Sequence, residues 1–201
     1  MQKETEHSRN LMHCESCGSE VLGYDIVNCG SIEHGYRELC NQCFNAEVAS
    51  AQGLESFENL RFDPIVMTDC AGEKHEFHFR TRLLGAAVAV DVFEVKRGQP
   101  AGYQFQIVDD SEVELVSLLG RLLERMRRSL SVKDLVSSDQ RLQIADQTVR
   151  GRIEWDESKH ERMPLIVIDG RDVSWEEFGR MLMTFEGWQF RMEIRDRSEA
   201  I

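Results

Sequence analysis

Long apolar runs are missing from the chain. The longest, Leu83 to Val90, has eight residues and stops at Asp91, too short to cross a bilayer. The first ten residues, MQKETEHSRN, are polar and carry no apolar signal core. Proline (3) and glycine (14) are scarce among 201 residues, which excludes collagen-like and low-complexity architectures. Basic residues are in deficit: 24 Lys+Arg against 36 Asp+Glu give a formal charge of -12. That balance disfavours non-specific binding to phosphate backbones. The expectation is a cytoplasmic globular chain without a membrane segment, long enough for one domain or two small ones.

Catalytic signatures are absent as well. The chain has no G-x-x-x-x-G-K-[ST], no G-x-S-x-G, no H-E-x-x-H and no two glycines at i and i+2. His75-Glu-Phe-His78 is one residue short of the third pattern. On a strand its two histidines point to opposite faces and cannot chelate one ion, so both read as structural or surface residues. Asp109-Asp110 stands at a helix entrance, where the helix dipole already accounts for acidic residues. No catalytic or organic-cofactor residue is assigned.

The chemistry that is present lies in the cysteines. There are six, and four form two C-x-x-C pairs: Cys14-Glu-Ser-Cys17 and Cys40-Asn-Gln-Cys43, with 22 residues between them. Two such knuckles place four sulfurs tetrahedrally around one ion, and four thiolates favour Zn2+. Disulfides are disfavoured in a chain that carries no secretion signal. The predicted metal ligands are therefore Cys14, Cys17, Cys40 and Cys43, holding one structural zinc. Cys29, in a presumed hairpin turn, and Cys70, in a loop, read as buried free cysteines. A three-cysteine, one-histidine set using His13 or His34 would require displacing a regular ligand.

Between the pairs, Val21–Val27 and Tyr36–Leu39 read as a small hairpin. Residues 44–51 are rich in helix formers, with Gly53 as the stop. Knuckle, hairpin and a second knuckle at a helix N-terminus resemble the treble-clef class of zinc modules. The run Glu-Leu-Cys-Asn-Gln-Cys-Phe-Asn, residues 38–45, is similar to a motif of an uncharacterised bacterial protein family with an N-terminal four-cysteine zinc-ribbon or treble-clef module. The resemblance covers about a quarter of the chain and implies a zinc site and no activity.

The remainder reads as α+β. Strands are expected at 64–68, 74–83, 86–95 and 103–107, with a turn at 98–102, joined as an antiparallel meander. Ser111-Glu-Val-Glu114 has the form of a capping box opening a helix over 111–130, with Leu115, Leu119, Leu122, Met126 and Leu130 facing the meander. Arg121, Arg125 and Arg128 share its other face and read as a solvated face. Residues 131–147 read as a short helix and linker. Alternation at 149–155, a charged loop over 156–162 containing His160, a strand at 164–168 and an Asp169-Gly170 turn begin a second unit. A helix capped at Ser174 carries Trp175, Phe178, Met181, Leu182 and Phe185, and Trp188–Ile194 reads as a final strand.

The domain reading is a zinc module over 1–60, an α+β unit over 61–130, a connection over 131–147 and a second unit over 148–201. The functional expectation is a non-enzymatic zinc protein that mediates protein–protein interaction or regulation. Two other readings compete with it: a nucleic-acid-associated regulator, and an enzyme with a site between the α+β units. Residues 1–60 carry three basic and ten acidic residues, which counts against the first.

Overall fold

The computed structural model describes residues 11–33, 35–54, 57–138, 141–159 and 162–199. His34 and His160 therefore lie outside the described residues. The fold is mixed α+β: the described residues form three α-helices and several small antiparallel sheets, with a four-cysteine cluster near the N-terminus. No described helix is long and apolar enough to cross a membrane.

The N-terminal part holds two hairpins and a helix. Strands β1 (Leu11–His13) and β2 (Glu20–Leu22) pair antiparallel, as do β3 (Ile26–Ser31) and β4 (Gly35–Cys40). Helix α1 (Asn41–Gln52) follows β4 without a linker and ends where Gly53 adopts φ +68°. There the amides of Gly53 and Leu54 return to the last turn, closing a glycine C-cap.

The central sheet is the expected meander, in the order β5 (Ile65–Thr68), β6 (Lys74–Leu84), β7 (Ala87–Lys96), β8 (Gln99–Asp110). One face, with Phe77, Val90, Val92 and Tyr103, packs on α2 (Leu115–Leu130) through Leu122, Met126 and Leu130. The β7–β8 turn is tighter than expected, at Arg97-Gly98. Residues 99–102 continue as strand with a register shift opposite Phe93/Glu94, a bulge that takes up Gly102. The Ser111 capping box does not form. Ser111 spends its amide on Ala86 O, and α2 starts four residues later with Glu114 at its N-cap. Leu118, absent from the expected stripe, is fully buried, whereas Leu115 and Leu119 are half-buried.

The C-terminal part departs further. Residues 131–147 contain a hairpin, β9 (Leu135–Ser138) and β10 (Arg141–Ile144), in place of a helix and linker. Buried Asp134 anchors it: its carboxylate accepts the Arg150 amide at 2.6 Å, and its carbonyl accepts Ala145 N. Strands β11 (Arg152–Trp155), β12 (Pro164–Ile168) and β13 (Arg171–Ser174) form a meander. Helix α3 (Trp175–Leu182) is capped as expected, Ser174 Oγ accepting Glu177 N at 3.2 Å. Met181 and Phe178 face the small core of Leu135, Ile166, Ile168 and Val173, while Trp175 and Leu182 are exposed. The final strand is not there. Residues 188–194 are irregular and pair with no described strand, so Trp188, Phe190, Met192 and Ile194 stand in solvent.

Helix α1 closes a sheet edge. Strand β5 pairs only with the first part of β6, leaving residues 78–84 without a strand on that side. Buried Asn45 fills the gap: its amide nitrogen donates to Thr81 O at 2.8 Å and its oxygen accepts Leu83 N at 2.9 Å. Asn41 donates to the same Thr81 carbonyl. One side-chain amide thus completes a ladder that a strand would otherwise complete. Replacing Asn45 by Ala leaves the Leu83 N–H buried without an acceptor. The expected loss is about 2–3 kcal/mol in urea unfolding. Asn59→Ala, which removes two part-buried contacts, with Asn45 Nδ2 and Gln42 O, but leaves the Leu83 amide paired, should cost clearly less; equal losses would refute the edge role.

Candidate metal centre

The first C-x-x-C turns between β1 and β2. Cys14 ends one arm, with its amide on Ser19 O at 3.0 Å and its carbonyl accepting Gly18 N at 2.8 Å. Gly18 sits at φ +70°, where a side chain would be strained. This knuckle is tied to β4 twice: Glu15 N donates to Glu38 O at 2.8 Å, and Glu38 N donates to Glu15 Oε1 at 3.0 Å. The second pair straddles the strand–helix junction. Cys40 ends β4 and is the N-cap of α1, and Cys43 lies in the helix's first turn.

These two turns bring Cys14, Cys17, Cys40 and Cys43 together, with all four sulfurs within 4.8 Å of one another. Cys17 Sγ and Cys40 Sγ are 3.9 Å apart. Four sulfurs at about 2.3 Å from a central ion in a tetrahedron would be about 3.8 Å apart, so the spacing fits one metal. Cys14 and Cys40 are buried, Cys43 is partly covered and Cys17 is exposed. Leu39, Val21, Ile26 and Phe44 surround the cluster. The group can hold a metal ion.

Electrostatics differ around the cluster. Burial alone would raise the Cys14 thiol, but the amides of Cys40, Cys17 and Ser16 hold it down at about 6. Contacts with Ser19 lower Cys17. Burial raises Cys40, and burial plus its contact with Cys40 pushes Cys43 up to about 12. Cys40 and Cys43 are therefore the thiols that hold their protons most strongly in the metal-free cluster. A divalent cation removes the conflict by favouring all four thiolates at once.

The remaining candidates fall elsewhere. Cys29 lies in β3 beside the cluster but outside the four-sulfur group. His13 is exposed near Glu20, 3.4 Å away. Cys70 is exposed, contrary to the expectation of a buried thiol, because its turn places the side chain in solvent while the backbone amide binds Leu130 O. Arg121 pairs with Asp109 and Arg128 with Glu124, while Arg125 reaches the Gln106 and Ser198 carbonyls.

His75 and His78 do face opposite ways. His78 Nδ1 meets the Tyr24 hydroxyl at 3.1 Å. His75 is buried in a network not apparent from sequence, its Nε2 3.2 Å from Asp69 Oδ2 and its Nδ1 2.9 Å from Glu94 Oε1. Lys133 Nζ lies 2.6 Å from the same Asp69 oxygen and 3.2 Å from the Tyr103 hydroxyl. The Lys133 ammonium holds the Asp69 carboxyl far below the usual carboxylate range, while burial raises Tyr103 to about 12. Asp69, Glu73 and His75 are close enough to ligate a cation, but the Lys133 ammonium already supplies the positive charge. Both ring nitrogens of His75 face carboxylates. Glu94 Oε2 also accepts Tyr103 N at 2.7 Å, and a Cβ at Gly102 would lie 2.0 Å from that oxygen. This is a structural knot where the two α+β units meet.

Three family descriptions match the chain in succession. Residues 13–55 match Domain of unknown function (DUF7685), residues 58–131 match Domain of unknown function (DUF7686), and residues 131–199 match Domain of unknown function (DUF7713). No curated protein and no solved structure matches. The four-cysteine cluster lies wholly within the first matched segment.

Metal affinity should weaken as pH falls. Binding must displace the protons of Cys40 and Cys43, whose thiols burial raises, so affinity should fall steadily as pH is lowered. Below about pH 6, where Cys14 also takes a proton, the slope should steepen. Competition with a chromogenic chelator across pH 5.5–8 reads this (a range set about the Cys14 value). A flat profile would mean that these thiols are not the ligands.

Proposed function

We propose that Cys14, Cys17, Cys40 and Cys43 bind one structural Zn2+ in a treble-clef-like module, and that the protein is non-enzymatic and acts through protein–protein contacts. The observation that carries the metal assignment is the convergence of four sulfurs from a hairpin knuckle and a helix N-terminus. Four thiolates fill a tetrahedral shell and leave no position for an activated water, so the metal shapes the chain instead of reacting. The three successive family matches support a reading as three units, with the zinc module first.

The interaction role rests on exposed apolar surface. Trp188, Phe190, Met192 and Ile194 are 62–90% exposed on alternate positions of one segment, and Ile153 and Trp155 of β11 are more than half exposed. A solvent-facing row of large apolar side chains marks a contact surface. Against a nucleic-acid role stand the acidic N-terminal segment and the engagement of Arg121 and Arg128 with carboxylates.

Elemental analysis of the purified chain should give one zinc per molecule. Cys40→Ser should abolish stoichiometric zinc, whereas Cys70→Ser should retain it; equal loss from both would overturn the ligand set. Hydrogen exchange with and without a chelator extends the test. Because α1 closes the β6 edge, metal loss should remove protection from residues 11–52 and also from the amide of Leu83. Protection unchanged everywhere after proven metal removal would reject the structural role.

A further inference from the structure

The face of the central sheet away from α2 has a carboxylate at its middle. Asp91 on β7 is 1% exposed, and three arginines converge on it. Arg80 spans Oδ2 with Nε at 3.2 Å and Nη2 at 3.1 Å. Arg82 places Nη2 2.9 Å from the same oxygen, and Arg197, from the C-terminal segment, places Nη2 3.1 Å from Oδ1. The Gln106 side chain supplies a neutral donor to Oδ1 at 2.7 Å. Arg37–Glu47, Arg121–Asp109 and Arg150–Asp134 are one-to-one pairs, and exposed Glu193 takes two arginines, Arg191 and Arg195. Here three guanidiniums share one carboxylate, leaving a surplus of two positive charges in a chain whose formal charge is -12.

The three arginines are not equivalent. Arg80 is fixed: its Nη1 donates to Tyr24 O at 2.7 Å and its guanidinium lies over the Phe93 ring. Arg82 and Arg197 each make a single hydrogen bond to the described residues, although a guanidinium carries five N–H donors. Arg82 Nε is buried with no acceptor, and the side chains of Arg82 and Arg197 remain 27% and 48% exposed. Arg125, whose guanidinium reaches the Gln106 and Ser198 carbonyls and no carboxylate among the described residues, adds a cation at the adjoining sheet edge. Under-used guanidinium donors held by a shared carboxylate are the usual components of an oxyanion site.

We propose that Arg82 and Arg197, held on the two oxygens of Asp91, bind a phosphate group. A tetrahedral phosphate offers oxygens in several directions to the N–H donors that Arg82 and Arg197 leave unused beside Asp91. Phosphate carries about -1.5 to -2 at neutral pH, matching the local surplus. Asp91 is the positioning residue: it sets the two forks side by side and Arg80 holds it in place.

Inorganic phosphate titrated into the full-length protein, at ionic strength held constant with sodium chloride, tests the assignment. Saturable binding with Kd below about 10 mM is expected, with a shift of the Arg82 side-chain N–H signal in a nitrogen–proton spectrum. Arg82→Gln and Arg197→Gln should each weaken binding at least about tenfold (the loss of one charge-assisted contact), while Arg128→Gln on the far face of α2 should leave it unchanged. Circular dichroism of each variant separates loss of the site from loss of the fold, and the Arg82 signal in the unsubstituted protein reads the site without any variant. No saturable response, equal binding by the Arg82 and Arg128 variants, or an equal response to acetate would overturn the proposal.

Discussion

One helix serves two structures at once. The first turn of α1 carries Cys43 and follows directly on Cys40, so its start is fixed by the cysteine cluster. Its inner face offers Asn41 and Asn45 to the open edge of β6, and Val48 and Ala49 to the core around Leu83, Val88 and Leu118. A module of this size buries too little apolar surface to hold itself together. The sheet, for its part, has an edge whose amide and carbonyl need partners. Docking α1 on β6 meets both needs, and the cysteine cluster sets where the helix begins. The N-terminal module is therefore a component of the sheet's boundary and more than an appendage.

Two buried charge clusters organise the rest, and they differ in balance. Around His75, two carboxylates (Asp69 and Glu94) face two groups that can carry positive charge (His75 and Lys133), and every oriented contact is internal. Such a closed set is costly to break and chemically quiet. It sits where Tyr103, Gly102 and Gly170 bring the meander against the C-terminal unit, with Arg152 donating to Gly102 O at 3.2 Å. Around Asp91 the balance is uneven, one carboxylate to three guanidiniums. Uneven buried charge is expensive in a low dielectric, and in this cluster Arg82 and Arg197 keep part of their side chains in solvent.

The exposed row from Trp188 to Ile194 has an organisation of its own. Its apolar side chains alternate with Gln189, Arg191 and Glu193, and Arg191 pairs with Glu193. Beyond it, Arg197 and Ser198 return to the central sheet through Asp91 and Arg125. The segment is thus anchored at both ends, by α3 and by the sheet, with its apolar side chains outward between the anchors.

What the sequence determined by itself is whatever depends on neighbours a few residues away. Two C-x-x-C pairs specify two knuckles, period-two alternation specifies the strands of the meander, and Ser174 with Glu177 specifies a cap, because each rests on local backbone geometry. Tertiary structure decided whatever depends on competition between distant partners. The Ser111 box lost its amide to Ala86 O, and residues 131–147 became a hairpin because Asp134 found Arg150 and Ala145. The alternation at 188–194 is a strand pattern without a strand, since a strand needs a partner edge that alternation cannot provide. The clusters of Asp69 with Lys133 and of Asp91 with Arg197 join residues 64 and 106 positions apart, and no local pattern encodes a charge pair across that distance. Folding alone sets which buried carboxylates are neutralised and which keep a surplus of positive charge beside them.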